Sequence, residues 1–157
     1  MTAAKLIILN SEEVRRRSIK LMEGIPHEVI YWKPDEEAMS IIEMVRHMLE
    51  SEYIYNAIVN GRGTLAEGFI SPWEGRPYTS IADEIAFSVP YHQQFLESVR
   101  NYSEKELGET EIVRVERNQR RKLGDYLLRI AYHESVHAGN LLSYLRILNI
   151  DRPDIWD

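Results

Sequence analysis

The stretch from Leu123 to Leu148, LGDYLLRIAYHESVHAGNLLSYLRIL, decides the fold. Leu123, Leu127, Ile130, Leu141, Leu145 and Leu148 recur at helical spacing, which on a wheel of 100° per residue draws one apolar stripe along a single long helix. Asn149 and Pro153 close it. A striped helix must bury its stripe against partners, and the upstream sequence supplies them. Ser40 with Glu43 three residues on reads as a capping box that opens a helix running to about Val59, ended by Gly61, Gly63 and Gly68. Ser80 with an acid three residues later opens another that reaches about Tyr102, where Pro90 predicts a kink. Asn10 with Glu13 reads as the cap of the first helix, with Val14, Ser18, Leu21 and Ile25 on one face and Gly24 and Pro26 as its stop. Glu111 to Glu116 alternates polar and β-branched residues, a short extended segment. Four helices without a convincing sheet predict an all-α four-helix bundle. The Gly61 to Thr79 link predicts a long crossover connection that wraps the bundle or covers a site.

Composition narrows the function classes. At 157 residues, 44% of them hydrophobic, one domain spanning 1–157 can carry its own core. The chain has no cysteine, which excludes thiolate metal sites, thiol nucleophiles and disulfides and leaves any metal to histidine and carboxylate ligands. A net charge of -6 speaks against nucleic acid as a partner. The longest apolar run near the N-terminus, from Leu6, is too short for a signal or a membrane span, so a cytoplasmic protein that works on a small molecule is expected.

The long helix carries His133-Glu134-Ser135-Val136-His137, a literal H-E-x-x-H. Two histidines one turn apart point the same way and suit a metal, and the glutamate between them suits a general base, so Glu134 is the candidate catalytic residue. Peptidases with this motif take a third ligand downstream. Here Asn140 and Ser143 stand where the long form of the motif needs Gly and His, and only three aspartates lie beyond the helix, so a third ligand must come from upstream. On the wheel, His133 and His137 sit on the shoulder of the core stripe and Glu134 near its centre. In the second helix His47 sits at the edge of the face formed by Ile41, Val45, Met48 and Tyr55, and Glu52 lies inside that face. Two inward glutamates and several core-edge histidines are more polar than a bundle interior ordinarily accepts, and a metal would explain them.

Two segments then carry a resemblance. Trp32-Lys33-Pro34, with Ser40-Ile41-Ile42-Glu43, Val45 and His47-Met48-Leu49-Glu50-Ser51-Glu52, resembles the first signature of the DinB-like family. His133 to Leu142 resembles its second, and Arg152-Pro153-Asp154-Ile155-Trp156-Asp157 is similar to tails of the family. Asn140 replaces a common Gln and Met48 a common Leu, and neither touches a ligand position. The resemblance implies a four-helix bundle with a long crossover, paired as a homodimer, and a divalent metal on His47, His133 and His137. Zinc is the first expectation, with nickel, iron and manganese as alternatives. It also implies one of two chemistries, thiol S-transfer with a low-molecular-weight thiol or hydrolysis, because an open metal position lowers the pKa of either nucleophile. A non-catalytic metal-binding stress protein is the competing expectation. The family's name, which refers to induction by DNA damage, is no argument for DNA binding.

Blander roles stand beside these. Glu134 either supports a ligand by hydrogen bonding, snorkels, or pairs with a neighbouring arginine if it is not a base, and Glu52 supports the site or a structural hydrogen bond. His92, inside the third helix's apolar stripe, reads first as a satisfied core histidine and second as a fourth ligand. His27 reads as an exposed turn residue. The basic clusters Arg15 to Arg17 and Arg114 to Lys122 lie among glutamates and read as solvated faces. Trp73 and Tyr78 either line the site's mouth or plug the bundle.

Overall fold

A computed structural model describes residues 1–156, so Asp157 of the tail lies outside the described residues. Four long helices form the body: α1 (Ala3–Glu23), α2 (Ile41–Asn60), α3 (Ile81–Arg100) and α5 (Leu123–Ile147). A short α4 (Glu104–Glu109) and a two-stranded antiparallel hairpin, β1 (Glu111–Arg114) with β2 (Gln119–Lys122), fill the link between α3 and α5. The bundle, the crossover and the boundaries of α2, α3 and α5 agree with the sequence reading to within two residues.

Contacts fix the directions. Arg46 pairs with Glu84, Glu52 with His92 and Asn60 with Tyr102, so α2 and α3 run parallel. Two parallel neighbours of 20 residues each require a connection that travels back about 30 Å, the length of such a helix. The 61–80 link does this, which is why it is long. Met39 meets Tyr144 and Tyr55 meets Tyr126, so α5 runs antiparallel to α2. The link is packed rather than slack. Trp73 is buried among Tyr53, Phe87 and Tyr91, and Arg46 donates to the carbonyls of Arg76 and Pro77 while stacking on the Tyr78 ring at 3.8 Å.

Two expectations need correction. The first helix starts at Ala3, not after Asn10, and its cap is Thr2, whose hydroxyl accepts from Lys5 N. The early turns are held because Ala4 and Ile7 bury against Phe95, Leu107 and Leu123. Ser11 spends its hydroxyl on the Ile7 carbonyl inside the helix, so the Asn10 signal lies mid-helix. The second concerns the segment after α3. The extended run from Glu111 is one strand of a hairpin, turned by Asn118 in the left-handed region at φ 48, a conformation that asparagine tolerates. Gly63 (φ 121) brings the start of the crossover against this strand, where a Cβ would meet the Val113 carbonyl at 1.9 Å.

The core divides into two apolar clusters. One joins Leu21, Met22, the first half of α2 and Leu141 to Leu145. The other joins Ile7, Ile58, Phe95 and Leu123 to Ile130. Between them lies a polar layer, and the candidate site is part of it.

Candidate metal centre

The reciprocal cap at Ser40 and Glu43 pins the start of α2, and His47 follows two turns later. Across the α2–α5 groove stand His133 and His137. Their Nε2 atoms converge: His47 to His133 is 3.1 Å and His133 to His137 is 3.2 Å, and the three rings meet edge to face. All three are half-buried, and together they are a group whose ligand atoms could hold one metal ion.

The donor set fits such an ion. Metal–nitrogen bonds of 2.0–2.1 Å place ligands of a tetrahedral ion roughly 3.3 Å apart, close to the spacings here. Burial lowers the pKa of His47 and His137, and burial together with His137, His47 and Arg129 lowers that of His133 to about 4. The rings are therefore neutral near pH 7, with a lone pair for a cation. Without one, the central Nε2 of His133 faces two like nitrogens and can satisfy only one of them as donor. No carboxylate belongs to the cluster among the described residues, so three protein ligands leave positions open.

Glu134, next to His133, turns to the other side. It is buried, and Arg15 on α1 donates to both its oxygens, Nε at 2.9 and 3.2 Å and Nη2 at 3.0 Å. Pairing with an arginine is thus the observed state of this residue. Arg15 also reaches Glu52 on α2 at 3.2 Å, and Glu52 receives His92 Nδ1 of α3 at 2.9 and 3.0 Å. All four long helices contribute one residue. Burial works against the charge of Arg15, but Glu134 and Glu52 outweigh it and hold its pKa above the usual arginine value. This corrects the reading of Arg15 to Arg17 as a solvated face: Arg15 is 4% exposed, whereas Arg16 and Arg17 are on the outside with Glu13. His92 is satisfied by Glu52 and stays outside the histidine cluster, and His27 is exposed in its turn.

Trp73 plugs the bundle, as one of its two readings had it. Two residues that the sequence reading did not assign to the site flank His133. Tyr55 meets its ring edge to face at 5.4 Å, and Arg129, one turn earlier on α5, lies 5.2 Å over the Tyr55 ring. A cavity of about 590 Å³ lies elsewhere, by Arg146, Asn149, Arg152 and Trp156 towards the C-terminus.

Fold and site thus define a crossover helical bundle whose α2 and α5 bring together three histidines able to hold an ion. Residues 11–141 match the model of the DinB superfamily, and the chain belongs to that superfamily. It is 28% identical over 128 residues to the uncharacterized protein YjoA of Bacillus subtilis (strain 168), a match that covers 81% of this chain and 79% of YjoA. The crystal structure of a DinB-like protein, YjoA of Bacillus subtilis, superposes with a TM-score of 0.69 at 23% identity over 95% of both chains, a likeness of fold. No described helix is long and apolar enough to cross a membrane.

Proposed function

We propose that the protein is a divalent-metal-dependent enzyme whose ion is held by His47, His133 and His137 and whose substrate is a small molecule. The convergence of three neutral imidazole nitrogens, joined by no fourth histidine or carboxylate among the described residues, carries this reading. A zinc or similar ion supplies Lewis acidity at its open positions and lowers the pKa of a water or thiol nucleophile there. Thiol S-transfer and hydrolysis are the two reactions this supports. With no cysteine in the chain, the sulfur of a transfer reaction has to arrive as a low-molecular-weight thiol.

The residues divide the work. The histidines hold and orient the ion, and the edge contact of Tyr55 fixes the His133 ring. Glu134 is assigned to holding Arg15 rather than to moving a proton, since both its oxygens are engaged. An H-E-x-x-H peptidase would need Glu134 as its base, and the pairing with Arg15 speaks against that role. The reading extends to a homodimer in the cytoplasm, checked by light scattering of the purified protein and by fractionation.

One observation favours a second reading. His47 lies on α2 and the other two histidines on α5, so an ion there would also staple two helices. Protein loaded with zinc, and separately with nickel, iron or manganese, should be assayed with small thiols and an aromatic electrophile, and in parallel with activated esters. The proposal expects turnover in one of the two assays, lost on His133→Ala. Metal binding that raises Tm without turnover in either assay supports the staple.

A further inference from the structure

Arg129, the cationic side chain beside the histidines, has no counter-charge among the described residues. Three arginines have a buried nitrogen that lacks a hydrogen-bond partner among the described residues: Arg76, Arg121 and Arg129. Arg76 and Arg121 each pair with an aspartate through another nitrogen, Asp83 and Asp125. For Arg129 no carboxylate partner occurs among the described residues, although the chain carries 25 acidic residues against 19 basic ones. Its guanidinium rests on the rings of Tyr55 at 5.2 Å and Tyr126 at 5.8 Å, and its buried Nη1 makes no hydrogen bond.

A half-buried guanidinium without an anion is an unfavourable arrangement that surface arginines avoid. The two rings, set nearly at right angles to each other, flank the head group and restrict the positions it can take, which reduces the freedom left to lose when a partner arrives. Tyr55 is also the ring that meets His133 edge to face, which puts Arg129 on the same side of the cluster as that ligand. A divalent ion beside it adds positive charge, and three neutral histidines compensate none of it.

We propose that Arg129 is the anion-recognition residue of the three-histidine site, receiving the carboxylate or phosphate of a small anionic substrate whose reacting atom enters the ion's open position. This rests on the metal reading above and names the substrate class for it. A planar fork with free N–H donors matches an oxyanion bidentately, and ion and arginine together select a molecule with a donor atom at one end and an anionic group at the other.

The test uses full-length protein loaded with cobalt(II), whose visible spectrum reports a thiolate entering its coordination sphere. The probes are 3-mercaptopropionate and its methyl ester, which share the thiol and differ in the carboxylate, with inorganic phosphate as competitor for the phosphate arm. Wild type should bind the acid about tenfold or more tighter than the ester, as an added charge-assisted hydrogen bond implies. Arg129→Gln should erase that preference while leaving cobalt affinity equal or higher, because a positive neighbour has been removed. Arg129→Lys, which keeps the charge and loses the fork, should retain part of the preference and covers the case in which the glutamine variant folds poorly. Displacement of the acid by millimolar phosphate, lost in the glutamine variant, extends the recognised class to phosphate, and absence of displacement restricts it to carboxylate. Cobalt uptake with equal affinity for acid and ester, or a preference that survives Arg129→Gln, overturns this assignment alone. Failure to take up cobalt overturns the metal reading and the assignment with it.

Discussion

His133 and Glu134 are neighbours on α5, yet they belong to two polar clusters built on opposite terms. The Arg15–Glu52–Glu134–His92 cluster is closed: each member has a partner from another helix, and its three charged members are nearly inaccessible. The His47–His133–His137 cluster is open, with like nitrogens facing one another, His137 Nδ1 buried without a hydrogen bond among the described residues, and Arg129 alongside it. A closed buried network specifies how helices dock and asks for nothing more. An unfinished one asks for a ligand. The same α5 backbone serves both, because consecutive residues lie 100° apart and one turn of helix can face the core and the groove at once.

Breaking the closed side should have the largest effect. Arg15→Met leaves the buried Glu134 without its partner and Glu52 with His92 alone, and should cost about 3–5 kcal/mol in urea unfolding, the usual penalty for orphaning buried charge. Arg15→Met combined with Glu134→Leu should cost less than the sum of the two single changes, as coupled neighbours do. Strict additivity would show that the pairing contributes no coupling.

The open side should break differently. His133→Ala should leave the fold intact by circular dichroism while lowering metal affinity by more than the roughly 10–100-fold that loss of a merely supporting residue brings. A competition titration with a chromophoric chelator measures this, and an unchanged affinity would remove His133 from the ligand set.

Acid separates the two sides further. The histidines of the unfolded chain take up protons near pH 6.5, whereas His133 in the folded protein does so only near 4, and burial holds His47 and His137 low as well. Between those values the unfolded state binds more protons, so the metal-free protein should lose stability as pH falls from about 6.5 towards 4, the contribution of His133 being fully lost below its folded pKa. His133→Ala should flatten this slope, most visibly between pH 6.5 and 5, where carboxylates contribute least. An unaltered slope would contradict the burial argument. The smallest effect belongs to the cap that starts α2: Ser40→Ala should cost about 1 kcal/mol and leave metal affinity nearly unchanged.

Much of this was legible in the sequence, for identifiable reasons. Caps at Ser40 and Ser80 and the leucine stripe of α5 are local signals that agree with the tertiary packing, and the bundle followed from them. Asn10 was misleading because its capping pattern is equally compatible with a helix interior, and only the burial of Ala4 and Ile7 against distant helices decides between the two. The three histidines could be picked out because they share helix shoulders. Arg15 was harder: it falls on a face with Ser11, Ser18 and Met22, a wheel position that signals burial, but a run of three arginines looks solvated until the carboxylates of α2 and α5 are placed opposite. Arg129 and Tyr55 gave no signal as a pair, since 74 positions of sequence separate two residues that meet only across the groove.

The central claim is that the histidine cluster holds one ion. Elemental analysis of protein purified without a metal-affinity step, alongside His47→Ala and His133→Ala variants shown to be folded, tests it most directly. Close to one equivalent of divalent metal is expected in the native protein, with a large loss in both variants. Metal content that is undiminished in both, or a native protein that takes up no divalent ion when supplied with one, would contradict it.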